Sequence, residues 1–296
     1  MKSQLKLSGA ISALVTPFES GAVDYKSFAK LVEFQLKNGI RGFVVNGTTA
    51  ESPTLSWNEV EKLYASVREI VGSRVPVIVG TGSNATVHTI EMTKKAEDLG
   101  ADAALVVVPY YNKPPQRGLV AHFSETAKNT KLPIILYNVP GRTITGMTLE
   151  TILELAKNEN IVAIKEASGD VSFDENLKRK LPERFTLLSG DDPTYIPFLK
   201  IGGTGIISVM SNALTAACER WAKLAQDKKW QEVEQDFAKY KQLIALMYVE
   251  ANPIPIKWIL FKMGIISSPE MRLPLMELEQ QYYEKITTEL KNTGTI

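Results

Sequence analysis

A lysine that ends a β-branched apolar run stands out among the residues that could do chemistry. Lys165 closes the run Ile161-Val162-Ala163-Ile164, so a strand there would carry its amine to the strand's carboxyl end on an apolar stem. Burial disfavours the charged form of a lysine, and the neutral amine can add to a ketone to form an imine. The position also suits a lysine that pairs with the adjacent Glu166 or reaches out to solvent. Tyr137 closes the preceding run and could set its hydroxyl beside that amine, or serve as a core tyrosine with a satisfied hydroxyl. Thr48-Thr49 follow another run just before a helix, where hydroxyls and backbone N–H groups can bind a carboxylate; such pairs also form plain turns. Arg142 lies in the loop after Tyr137, placed either to bind a second carboxylate bidentately or to sit on the surface.

The residue inventory excludes other chemistries. Two histidines, His88 and His122, and one cysteine, Cys218, are too few for a typical zinc or iron site and allow no internal disulfide. Gly202-Gly203-Thr204-Gly205 precedes an apolar run, whereas a phosphate loop should follow one, so it reads as a turn into a strand. The net charge of +1 gives no electrostatic reason to expect nucleic acid or an anionic membrane as partner. The amino-terminal segment is interrupted by Ser8, Gly9 and Ser12 and reads poorly as a leader. No apolar stretch approaches the roughly 18 residues of a spanning helix. A cytoplasmic enzyme is the expectation.

These residues must be positioned by the elements around them. Eight short apolar runs, at 10–15, 42–46, 76–80, 103–109, 133–137, 161–165, 185–189 and 205–209, alternate with amphipathic stretches such as 25–37, 57–71, 86–99 and 119–129. Most runs are continuous Val, Ile and Leu, as expected of parallel strands buried on both faces. Asp24, Ser56 with Glu59, and Asn84 are candidate helix caps, and Asn38-Gly39 and Leu99-Gly100 candidate helix stops. The pattern predicts an α/β fold, a (β/α)8 TIM barrel over residues 1–225, with a carboxy-terminal helical extension over 226–296 built from helices at 213–226, 230–249 and 278–291. In such barrels the active site lies at the carboxyl ends of the strands, where Thr48-Thr49, Tyr110-Tyr111, Tyr137, Arg142, Lys165, Gly190 and Ile207 fall.

Several segments carry a family resemblance. Gly47-Thr48-Thr49-Ala50-Glu51-Ser52, Tyr137-Asn138-Val139-Pro140-Gly141-Arg142-Thr143 and Ile164-Lys165-Glu166-Ala167-Ser168-Gly169 resemble the dihydrodipicolinate synthase/N-acetylneuraminate lyase family. Further matches are Pro109-Tyr110-Tyr111-Asn112, Leu188-Ser189-Gly190-Asp191-Asp192, Asn252-Pro253-Ile254-Pro255-Ile256-Lys257-Trp258 and Arg272-Leu273-Pro274-Leu275. The resemblance spans nearly the whole chain. It implies that Lys165 forms an imine with pyruvate, whose enamine attacks the aldehyde of L-aspartate 4-semialdehyde on the diaminopimelate route to lysine. It implies a proton relay of Tyr137, Thr48 and Tyr111, with Tyr111 reaching into a neighbouring subunit of a homotetramer made of tight dimers. Thr48 and Thr49 would hold the pyruvate carboxylate, Arg142 the carboxylate of the semialdehyde, and Gly190 and Ile207 would line the pocket. No metal or organic cofactor is implied.

Arg142 favours the synthase branch over a lyase for a sugar-derived acid, which needs hydroxyl partners where a dicarboxylate-like adduct needs a second cation. A catalytically silent binding barrel would have no need of Lys165, Tyr137 and Arg142 together. Two departures from the family pattern are present. Ala50 stands where glycine is common, a cost only if its φ is positive. At the positions matching the lysine-inhibition site, Ser52, Pro53, Trp57, Val60, Asn84, His88 and Tyr110, three changes stand out: Val60 replaces a polar residue, Trp57 a histidine, and His88 the glutamate that would hold the effector's amine. Weak or absent inhibition by lysine is the expectation.

Overall fold

The apolar runs form parallel strands. A computed structural model describes Leu5 and residues 7–296; Lys2 and Lys6 of the amino-terminal segment lie outside the described residues. The strands are β1 (Gly9–Ala13), β2 (Gly42–Val45), β3 (Val77–Gly80), β4 (Ala103–Val107), β5 (Ile134–Asn138), β6 (Ile161–Glu166), β7 (Thr186–Ser189) and β8 (Gly205–Ser208). Their order is that of a closed eight-stranded barrel, as the sequence pattern predicts. Every residue of β1, β2, β3, β5 and β8 is buried, which is why these segments read as continuous rather than alternating hydrophobics. A short hairpin, Phe18–Glu19 with Ala22–Val23, follows β1 and has no counterpart in the predicted elements.

By its internal contacts the chain gathers into two units, one formed chiefly by Pro76–Ile207 and the other by Gly9–Val75 with Ser208–Ile296. In the second unit, α1 (Tyr25–Lys37) is capped by Asp24, whose carboxylate accepts from Ser27 N at 2.9 Å. Helix α2 (Trp57–Val71) starts with the expected capping box: Ser56 and Glu59 each bond the other's backbone N–H. Gly39, just past α1, takes φ +91°, a left-handed conformation that favours glycine at a helix end.

In the first unit the helices are α3 (Thr86–Asp98), α4 (Gln116–Lys128), α5 (Pro140–Thr143), α6 (Leu149–Leu155), α7 (Val171–Lys180) and α8 (Tyr195–Lys200). The expected Asn84 cap is not formed: Ala85 occupies the N-cap without a side-chain bond. Asn84 instead uses its carbonyl to accept from Asn112 Nδ2 at 2.8 Å. Gly203 begins the turn into β8, and a Cβ there would lie 2.0 Å from the Phe198 ring, so close packing rather than phosphate binding explains that glycine cluster.

The carboxy-terminal extension differs from the pattern in two places. The helix expected over 230–249 is broken into α10 (Trp230–Ala238) and α11 (Lys241–Leu246), after α9 (Ser211–Gln226). Tyr240, at the break, packs edge-on against Trp221 with ring centroids 5.4 Å apart, a contact that periodicity does not encode. Helix α12 (Ile254–Lys262) has no counterpart in the predicted elements, and Pro253 and Pro255 mark its start. They fall at the N-cap and in the first turn, where proline is tolerated because those N–H groups have no helical partner. The last helix, α13 (Tyr283–Asn292), answers to the segment expected at 278–291.

Ser56→Ala should lower stability by about 1 kcal/mol through loss of the capping box. Thermal unfolding would report this as a fall in midpoint of about 2 °C, and an unchanged midpoint would show the box to be dispensable.

Candidate active site

Strand register sets Lys165 beside Tyr137. The two are paired across β5 and β6, and Lys165 is paired with Leu188 on β7. Residues at paired positions share a face of the sheet, and their sequence neighbours take the other face. Lys165 Nζ lies 4.2 Å from the centroid of the Tyr137 ring, and both residues are only 6% exposed. The next pair, Asn138 and Glu166, bonds on the opposite face: Glu166 Oε2 accepts from Asn138 Nδ2 at 2.7 Å and Glu166 Oε1 accepts from Ser168 N at 2.8 Å. Glu166 is therefore committed away from Lys165. Among the described residues the Lys165 amine has no hydrogen bond or ion pair, so neither pairing with Glu166 nor extension to solvent describes it.

Gly190, immediately after β7, makes room for this lysine. A Cβ at Gly190 would lie 2.8 Å from Lys165 Cε, 2.9 Å from its Cγ and 2.6 Å from Ala167 Cβ. The stem of Lys165 thus runs directly over backbone that only glycine leaves open. Ile207, on β8, is 1% exposed.

Behind Lys165 lies an acidic group. Burial pushes the Glu166 carboxyl up, against the bonds from Asn138 and Ser168. Asp174, on α7, is raised to about 7, first by burial and then by the negative charges of Glu166, Asp170 and Asp191. Asp170 is the N-cap of α7, accepting from Ser172 N and Phe173 N. His122, the buried histidine, is pulled down to about 4 by desolvation and bonds Thr86 through Nδ1 at 3.0 Å, a structural role.

Arg142 is carried by α5, one turn after β5. Its loop is held by Asn138, whose Oδ1 accepts from Met147 N at 2.9 Å, and by Thr143, which donates to Val139 O at 3.0 Å. Ile144 closes α5 at φ +64° while 68% exposed, a conformation that a β-branched residue adopts only under constraint. Tyr111 follows β4 at φ +75° and is 88% exposed, and Tyr110 beside it is 40% exposed.

Within the second unit, Thr48 and Thr49 form a single 3-10 turn, Thr48–Ala50. Ala50 lies inside this turn and is not among the positive-φ residues; Asn46 and Glu51 on either side take φ +59° and +58° instead. The glycine-to-alanine departure therefore strains nothing. Glu51 is buried, and its carboxylate accepts from Lys257 Nζ at 2.8 Å and from Arg272 N at 3.0 Å. Lys257 is fully buried on α12. Burial pulls its amine down while Glu51 opposes the shift. Sequence reasoning noticed Lys257 only as part of a matching segment, yet its signal resembles that of Lys165: a lysine set in an apolar run, Ile254 to Leu260. What distinguishes the two is the carboxylate, which no periodicity reveals.

The residues matching an effector site are dispersed in character. Val60 is 2% exposed on the core side of α2, Trp57 Nε1 donates to Glu61 at 2.7 Å, and His88 is exposed beside Glu91 at 3.7 Å.

Residues 6–293 match the dihydrodipicolinate synthetase family. The chain belongs to that family. It is 49% identical over 288 residues, 97% of this chain and 98% of the relative, to the 4-hydroxy-tetrahydrodipicolinate synthase of Bdellovibrio bacteriovorus. Among solved structures it is similar to the chloride-inhibited dihydrodipicolinate synthase of Acinetobacter baumannii in complex with pyruvate, at 42% identity and a TM-score of 0.95, covering 98% of this chain and 100% of that one. A structure described as the first monomeric dihydrodipicolinate synthase variant aligns with a TM-score of 0.96 and 39% identity, over 98% of both chains. No helix among the described residues is long and apolar enough to cross a membrane.

Two substitutions test this geometry. Gly190→Ala should displace the Lys165 stem and slow its reaction with pyruvate about 100-fold, the scale expected of an ångström's misplacement. Trapping at an undiminished rate in a folded variant would contradict the close approach. Because the folded state binds the Asp174 proton more tightly than the unfolded chain, whose carboxyl titrates near 3.8, stability should fall as pH rises from 3.8 to about 7. Asp174→Asn removes that slope, so the variant's melting point relative to the original should increase between pH 5 and pH 8 (each about one unit above one end of that window); a constant difference would contradict it.

Proposed function

We propose that the chain acts as a 4-hydroxy-tetrahydrodipicolinate synthase, condensing pyruvate with L-aspartate 4-semialdehyde through an imine on Lys165. The observation that carries this reading is the Lys165 amine, buried beside Tyr137 with no carboxylate partner among the described residues. A lysine held by an acid, as Lys257 is by Glu51, is tied to its partner, whereas the Lys165 amine has no such partner among the described residues and is placed to add to a ketone.

In the proposed sequence the Lys165 nitrogen adds to the keto carbon of pyruvate and water leaves. The resulting iminium acts as the electron sink that lets the methyl carbon lose a proton and become an enamine. The enamine carbon bonds to the aldehyde carbon of the semialdehyde. The amino group of the adduct then closes the ring on the imine carbon, releasing Lys165. Tyr137, Thr48 and Tyr111 move the protons, a task hydroxyls can perform without histidine. The iminium supplies the electron sink that a cofactor would otherwise provide, so the scheme calls for neither metal nor organic cofactor.

Thr48 and Thr49 are assigned to the pyruvate carboxylate, Arg142 to the carboxylate of the semialdehyde, and Gly190 and Ile207 to the pocket wall. The exposure and positive φ of Tyr111 support its insertion into a neighbouring copy, hence at least a dimer and, by family analogy, a homotetramer in the cytoplasm. The exposed His88 and core-facing Val60 support the absence of effective lysine inhibition, since His88 stands where a glutamate would hold the amine of a cationic amino acid.

A coupled assay with both substrates tests the activity, and its absence would refute the reading. Arg142→Ala should raise the KM for the semialdehyde about 10- to 100-fold, the value of a charge-assisted pair, while pyruvate still reacts with Lys165. Added lysine should leave the rate unchanged at sub-millimolar concentration; half-inhibition in that range would overturn the assignment of a disabled effector site.

A further inference from the structure

The turn that carries Thr48 and Thr49 is held from the carboxy-terminal extension. Arg272 donates to Thr54 O at 2.8 Å and clasps Glu59 with both terminal nitrogens, at 2.6 and 3.1 Å. Lys257 and the backbone of Arg272 bond the two oxygens of Glu51, and Lys257 Nζ and the Arg272 guanidinium lie over the Phe18 ring, 4.2 and 4.4 Å from its centroid. Glu51 joins the two 3-10 turns Thr48–Ala50 and Ser52–Thr54 in a left-handed conformation, so its buried ion pair fixes the backbone of both.

The hydroxyls of this region differ in what they do with their hydrogen. Thr16 donates to Ala50 O and Thr54 to Glu51 O, each at 2.9 Å. Thr49 is bonded in the opposite sense: Asn252 Nδ2 donates to Thr49 Oγ1 at 3.0 Å, and both residues are buried. A threonine hydroxyl has one hydrogen to give and two lone pairs. With a lone pair occupied by Asn252, the hydrogen is left for an acceptor other than the protein backbone.

We propose that Asn252 is a positioning residue for substrate binding: by donating to Thr49 Oγ1 it directs the Thr49 hydroxyl hydrogen to the pyruvate carboxylate. The inference rests on the reading of Thr48-Thr49 as the carboxylate site. A carboxylate is the stronger acceptor for such a hydrogen, and Asn252 stands just before α12, the helix that also supplies Lys257. One segment therefore fixes both the path of the turn and the sense of its hydroxyl.

The test is a double-mutant cycle of Asn252→Ala and Thr49→Val, reading the KM for each substrate, kcat and the melting point. Each single change should raise the KM for pyruvate about tenfold, one charge-assisted hydrogen bond's worth, and leave the KM for the semialdehyde unchanged. The double variant should be no worse than Thr49→Val alone, because Asn252 acts through that hydroxyl. Should Asn252→Ala fail to fold, Asn252→Asp keeps the shape and, as a carboxylate, can only accept from Thr49; its pyruvate KM should rise at least as much. Additive effects, equal changes in both KM values, or an unchanged pyruvate KM in a folded Asn252 variant would overturn the inference alone. An unchanged pyruvate KM in Thr49→Val would overturn the carboxylate assignment itself, and the inference with it.

Discussion

A buried lysine is ordinarily held by a carboxylate, and the described residues contain one buried lysine with such a partner and one without. Lys257 is fully buried and meets Glu51 at 2.8 Å, with Glu270 O as a second acceptor. Lys165 is buried against the face of Tyr137 with no carboxylate bonded to it among the described residues, and the neighbouring Glu166 is bonded to Asn138 on the other side of the sheet. The first arrangement makes a structural cation. The second leaves an amine that can act as a nucleophile, and the rest of the site depends on keeping it so.

Strand geometry does most of that keeping. The two-residue alternation of β5 and β6 places Tyr137 with Lys165 on one face and Asn138 with Glu166 on the other. A shift of one residue in register would exchange the pairs and put a carboxylate where the amine now stands. Gly190 contributes by absence, since any side chain there would collide with the lysine stem. The Asn138 amide also ties Glu166 to the loop after β5 through Met147, so the strand that flanks the amine is linked to the loop that carries Arg142.

Much of this was legible in the residues. Runs of β-branched residues mark buried parallel strands, and the end of each run marks the rim where chemistry is done, so Lys165, Tyr137, Thr48 and Arg142 could be named from position. The capping residues Asp24, Ser56 and Glu59 were equally legible, because caps act over three residues. What was not legible involves partners distant in sequence. Asn252 meets Thr49 across 203 positions and Lys257 meets Glu51 across 206, and no local pattern announces such a pairing. Helix α12 opens on prolines, whose effect depends on where the helix starts, and the break at Tyr240 depends on the Trp221 ring.

The central claim is that pairing, not burial, separates the reactive lysine from the structural one. Borohydride reduction of the full-length protein in the presence of pyruvate, followed by peptide mass spectrometry, measures this directly. The predicted result is a reduced pyruvate adduct on the peptide bearing Lys165, with Lys257 unmodified. An adduct on Lys257, or no adduct in the folded protein, would contradict it.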